Sequence, residues 1–137
     1  MKEITVVKYQ PSDFIGIVGS GTDTYATAHY EHGPAVTFMV DGKVAACGGY
    51  AMPWEGTAEM WVAISQEFKH CPAVVVGIKR QMLEWIDDKN LTRVQATVKS
   101  DWSVGRRFLE WLGMDYEGTL RKLGPNGIDQ CVYARVR

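Results

Sequence analysis

Lys69 and His70 stand side by side in a short polar turn, Ser65 to Cys71, between an apolar run and a proline. The run, Met60 to Ile64, is too uniformly hydrophobic to keep one face wet, so it reads as a buried strand. Pro72 opens a helix, where its missing N–H is harmless because the first helical donors lack intrahelical partners anyway. Strand, turn and helix start in that order make an anion site: free N–H groups converge and the helix dipole adds positive potential. Lys69 and His70 strengthen it. Such a site suits a phosphate-bearing cofactor. Cys71 neighbours a helix N-terminus, His70 and Lys69, conditions that activate a thiol, but no ordered Cys–His–carboxylate set accompanies it and it reads as a turn residue. His29 and His32 could present a metal, yet no third ligand at suitable spacing supports one. The glycines around Ser20 follow no strand and lack phosphate-loop spacing, so they read as a connector.

The 137 residues suffice for one domain, spanning 1–137, with one good core. Net charge is -1 with acids and bases interspersed, which excludes a broad basic surface for nucleic acid. No apolar run is long enough to span a bilayer, and the N-terminus lacks a signal-peptide shape. Three cysteines without C-x-x-C spacing favour reduced thiols in the cytoplasm over a disulfide framework or a zinc knuckle. Most of the five tryptophans should be core, with Trp54 and Trp102 placed to wall a pocket.

The elements that position these residues follow from periodicity. Glu3 to Tyr9 alternates as a strand, and Pro11-Ser12-Asp13 starts a helix carrying Phe14, Ile17 and Val18 on one face. A second helical stretch covers Asp23 to Glu31. Ala35–Val40 and Lys43–Tyr50 flank Asp41-Gly42, a hairpin signature, and Gly48-Gly49 marks a bulge or a close approach of another backbone. Pro53 to Gly56 turns the chain into the central strand. The Pro72 helix runs to about Asp88 with Val75, Ile78, Met82, Trp85 and Ile86 on one face. Arg93–Lys99 alternates as a strand, Ser100–Ser103 supplies a cap for a helix Val104–Leu112, and strands Asp115–Leu123 and Gln130–Arg137 follow. The order βααβββαβαββ predicts an α/β (α+β) domain: a mixed, mostly antiparallel twisted sheet of about seven strands with helices on both faces.

Phe108–Arg121 (FLEWLGMDYEGTLR) followed by Gly127–Arg135 (GIDQCVYAR) resembles the "lGF-x-x-EGtlR…D…YaR" tail of the GCN5-related N-acetyltransferase (GNAT) superfamily. Small acetyltransferase-like proteins of tailed bacteriophages are similar. The resemblance implies the GNAT fold and transfer of an acetyl group from acetyl-CoA to a primary amine of a small molecule or protein, with a homodimer as one option. The cofactor would lie between strands Glu59–Ile64 and Arg93–Lys99, touching Val62, Ile64 and Phe108. Its phosphates would meet the turn through Lys69, His70, Cys71, Ala73 and Val74. Glu59 falls within one residue of the family's carboxylate base, and Tyr25, His29 and Trp54 fall on the acceptor side.

The chain also departs from the family's Arg/Gln-x-x-Gly-x-Gly/Ala turn. Pro72 replaces the first glycine and removes a donor. Val74 replaces the second and sets a branched side chain against the expected phosphate. Leu109 takes the place of the tyrosine that protonates the leaving thiolate, leaving Ser103, Tyr116 and Tyr133 as substitutes. These departures give an alternative reading: a catalytically impaired GNAT-fold binding module or phage structural module.

Overall fold

Asp41 and Gly42 reverse the chain with φ of 51° and 76°, the left-handed pair that a tight hairpin turn demands. They join β2 (Ala35–Val40) to β3 (Lys43–Trp54). The structure, a computed structural model, describes residues 3–19 and 33–137. Before the hairpin stand β1 (Ile4–Lys8) and α1 (Pro11–Val18). After it come β4 (Thr57–Ile64), α2 (Pro72–Asp88), β5 (Arg93–Lys99), α3 (Ser103–Trp111), β6 (Asp115–Leu120) and β7 (Gln130–Val136). The helix expected over Asp23–Glu31 lies outside the described residues, as do Tyr25, His29 and His32.

The seven strands form one mixed sheet in the order β1-β2-β3-β4-β5-β7-β6. The β4–β5 pair is parallel, joined by the α2 crossover, and the other neighbours are antiparallel. Strand alternation sends side chains to opposite faces, and both faces are covered. On one, Phe14 and Ile17 of α1 pack with Tyr9, Cys47, Trp61 and Ala63. On the other, α2 and α3 cover two clusters, one around Phe38, Phe68, Val74 and Ile78, the other around Tyr50, Met82, Leu112 and Tyr133. The expected architecture is therefore the observed one, a seven-stranded α/β sheet with helices on both faces.

Several local expectations are corrected. β3 continues through Pro53 and Trp54, where a turn was expected. The register shifts between Ala51 and Trp54, so Pro53 has no ladder hydrogen bond to lose. The buried residues of α2 are Val74, Ile78, Met82 and Ile86, one position out of phase at the start from the expected Val75. Among the described residues, no side chain caps α3: Trp102 is the N-cap and Ser103 is already helical. Gly49 is a close approach, since a Cβ there would stand 2.3 Å from the Pro34 carbonyl oxygen.

Among the described residues, one buried side-chain polar atom lacks a hydrogen-bond partner. Tyr50 is 2% exposed, its ring edge-on to Trp85, and its hydroxyl has no hydrogen-bond partner among the described residues. Burial, reinforced by Asp88, raises its pKa. A buried hydroxyl without a partner carries its desolvation cost uncompensated, about 1–3 kcal/mol. Tyr50→Phe should therefore raise the melting temperature or leave it unchanged. A drop of several degrees would show that the hydroxyl is bonded in solution.

Candidate active site

Three rungs join β4 to β5: Thr57 with Arg93, Ala58 with Val94, and Glu59 with Gln95. Among the described residues the ladder stops there, although β4 runs on to Ile64 and β5 to Lys99. Over the same stretch β4 keeps β3 on its other side, from Tyr50–Met60 to Ala46–Ile64. The two parallel strands thus fork, and alternate backbone N–H and C=O groups of Met60–Ile64 face the opening. Glu59 and Gln95 sit at the apex.

Past the end of β4 the chain makes a short 3-10 turn, Gln66–Phe68, pinned by Phe68 in the core, then enters α2. Among the described residues, no side chain caps that helix. Its N-cap carbonyl, Cys71 O, accepts from Val74 N–H at 3.1 Å and Val75 N–H at 3.3 Å. Pro72 has no N–H to offer. Among the described residues, no acceptor meets the N–H groups of Lys69, His70 and Ala73, so these donors and two exposed basic side chains frame the expected anion turn. Val74 is not part of its surface. Its side chain is 0% exposed and packs among Phe38, Phe68 and Ile78, which corrects the expectation that it crowds a phosphate: a residue at that point of the first helical turn faces the sheet. Cys71 is half-buried, while Cys47 and Cys131 are fully buried free thiols. Burial, helped by Asp13, pushes the Cys47 thiol up to about 12, so it is inert at neutral pH.

The α2–α3 face of the fork is apolar. Val62 and Ile64 on β4 and Phe108 on α3 are partly buried there, and Phe108 touches both core clusters. Lys79 of α2 ties the helices together, donating to Trp111 O at 3.0 Å with its ammonium 4.5 Å from the Trp111 ring centroid. The opposite face carries the α1 cluster with Trp61 and Ala63, and turns polar at the apex. Glu59 is exposed on it, and Thr57, Arg93 and Gln95 share that face by register. Trp54, 68% exposed, stands at the β3–β4 hairpin tip with its indole N–H bonded to Thr57 Oγ1 at 3.0 Å. Arg93 grips Glu117 through both terminal nitrogens, which holds the Glu117 carboxyl below its usual range. That stabilisation is present above the ordinary glutamate range and is lost as pH falls through the lowered value.

Two of the three substitutes for Leu109, Tyr133 and Tyr116, are engaged elsewhere. Leu109 itself is buried. Tyr133 is fully buried beneath α3, its hydroxyl accepting from Arg106 Nε at 3.0 Å and donating to Glu110 at 3.4 Å. Tyr116 lies on the far strand β6 and bonds Thr119. Ser103 is exposed at the start of α3. Arg106 is committed to Tyr133 and to Ser100 O. Two surface grooves stand out, one on the β1 side of α2 and one at the fork. One of about 920 Å³ runs along α2 from Cys71, Pro72 and Ala73 to Glu84, against Ile4 and Val6. The other, about 610 Å³, wraps the free end of β5 and includes Lys99 and Trp102, in line with the expected pocket wall at Trp102. Among the described residues, no cluster of metal-ligating side chains occurs, and no helix is long and apolar enough to cross a membrane.

No protein-family model matches this sequence, and no curated protein matches it by sequence. Solved structures do match the fold. A GNAT-family acetyltransferase from Bacillus anthracis superposes with a TM-score of 0.76 at 15% identity, covering 99% of this chain and 96% of that one. The microcin C7 self-immunity acetyltransferase MccE, solved with acetyl-CoA and AMP, gives 0.77 at 17% identity over 98% and 93%. A ribosomal-protein-alanine N-acetyltransferase from Brucella melitensis gives 0.75 at 12% identity over 97% and 99%. The chain has the GNAT acetyltransferase fold over essentially its whole length.

Proposed function

We propose that this protein is an acetyl-CoA-dependent N-acetyltransferase acting on a primary amine. The observation that carries the reading is the fork: the β4–β5 ladder ends at Glu59 and Gln95 while an uncapped, proline-started helix begins just beyond β4. A gap between strands offers backbone donors to a thioester carbonyl, and the N–H groups of Lys69, His70 and Ala73 offer donors to phosphates. Val62, Ile64 and Phe108 give the pantetheine arm an apolar wall. Glu59, exposed at the apex on the face opposite α2 and α3, takes the proton of the attacking amine. A thiol resembling cysteine, with a pKa near 8.5, leaves as thiolate without strong acid help, so a buried Leu109 does not forbid turnover.

The acceptor is an amine reaching Glu59 past Trp54. Small molecules and protein N-termini both fit, in keeping with the microcin and ribosomal-protein names of two structural neighbours. Three free thiols suit a reducing, cytoplasmic compartment. A second reading, a binding module or phage structural module of this fold that has lost turnover, is favoured by Pro72 and Leu109.

Acetyl-CoA at a hundred times its Kd should stabilise the fold by about 2.7 kcal/mol, raising the melting temperature by several degrees. Free thiol should then be released when a panel of primary amines is added. No shift at millimolar coenzyme would overturn the enzymatic reading; a shift with no thiol release from any amine would select the binding module.

A further inference from the structure

On the face of the sheet that carries Glu59, three side chains from β5 and β6 are locked together beside it. Arg93 Nε donates to Gln95 Oε1 at 2.8 Å, and its terminal nitrogens donate to the two Glu117 oxygens at 3.1 and 2.5 Å. Register places Ala134 of β7 between Gln95 and Asp115, and this small, buried residue gives the arginine a low surface to cross. Arginine only donates, so the amide oxygen of Gln95 must face it and the amide nitrogen must face away. Among the described residues nothing accepts from that nitrogen. Gln95 is the partner of Glu59 on the last rung of the ladder, where paired side chains project on one face within reach of each other. The Glu59 carboxylate also lacks a hydrogen bond or ion pair among the described residues.

We propose that Gln95 is a positioning residue for Glu59. Resting on the acetyl-transfer reading, its amide N–H donates to one carboxylate oxygen and leaves the other aimed at the incoming amine. Arg93 and Glu117 hold the amide in that orientation before substrate arrives, the pre-organisation that a proton-accepting carboxylate on an open strand otherwise lacks. During transfer the nitrogen–carbon bond forms and the carbon–sulfur bond breaks with its electron pair passing to sulfur. The amine proton goes to the oxygen that Gln95 leaves free.

The test uses acetyl-CoA with hydroxylamine, a small amine that needs no acceptor pocket, and reads acetohydroxamate as its coloured ferric complex. Glu59→Gln should lower kcat about 100-fold and Gln95→Leu about 10-fold, with the KM for acetyl-CoA unchanged in both. The double variant should be no slower than Glu59→Gln, because residues acting through one another are not additive. Arg93→Met, which leaves Gln95 present but unheld, should lose about threefold. Full activity in Gln95→Leu, or a double variant slower by the whole factor, overturns the role of Gln95 and leaves the transferase reading intact. Full activity in Glu59→Gln, or no hydroxamate from the wild-type protein, overturns the transferase chemistry itself and this inference with it.

Discussion

Pro72→Ala is expected to tighten acetyl-CoA binding about tenfold, measured by titration calorimetry. The substitution returns an N–H to the first position of α2, beside the unmet donors of Lys69, His70 and Ala73. A hydrogen bond to a charged oxygen contributes about 1.5–3 kcal/mol, and 1.4 kcal/mol is one decade of affinity. Losing the fixed φ of proline frees the unfolded chain and subtracts about 0.4–1 kcal/mol of stability, which a small fall in melting temperature would report. The comparison that gives the test its force is Val74→Gly. Read from the sequence alone, both positions depart from a glycine pattern and both reversals should help. In the structure they differ. Val74 fills the core and its N–H already serves Cys71 O at 3.1 Å, so removing its side chain opens a cavity and places glycine in a helix, together about 3 kcal/mol of destabilisation. Calorimetry should show no gain in affinity. An unchanged Kd in Pro72→Ala would mean that phosphate does not seat on the first turn of α2.

That contrast shows where the sequence is legible and where it stops. The Asp41-Gly42 hairpin and the start of α2 at Pro72 rest on backbone chemistry that a few residues specify locally: positive φ in one case, a missing donor in the other. The apolar run before Ser65 and the helix after it imply a parallel neighbour, and β5 is that neighbour. Local patterns cannot give the rung at which the β4–β5 ladder ends, because Met60–Ile64 and Ala96–Lys99 look equally ready to pair. Nor can they fix helix phase to one residue, which is why Val75 was expected in the core where Val74 lies. Trp54 was read as a turn residue because Pro53 precedes it. A strand that skips a rung tolerates proline, and only the partner strand reveals the skip. Gln95 carried no signal at all. Its significance comes from Glu117, 22 residues away in sequence, meeting Arg93 across β7.

Gly49→Ala is expected to destabilise the fold by about 3 kcal/mol, the upper part of the range for forcing extra atoms into a packed interior. For a chain of this length that is about 10 °C in melting temperature. The added Cβ would meet the Pro34 carbonyl oxygen at 2.3 Å and the Ala35 Cα at 3.0 Å. Both are backbone atoms at the entry to the adjoining strand, so no rotamer change relieves the contact. β2 would have to move away from β3. The effect should reach the site, because beyond Glu59 the strand β4 has support on one side only, from β3, whose Gly49 pairs with Trp61 and Gly48 with Val62. A strand that has given up one neighbour to open a fork depends on the other to stay straight. Gly49→Ala should therefore weaken acetyl-CoA binding even at temperatures where the chain remains folded. Gly16→Ala, on the exposed side of α1 with open space around it, should leave binding untouched and add slight stability. If Gly49→Ala melts early yet binds coenzyme as tightly as the wild-type protein, the fork is held by something other than the β3 ladder.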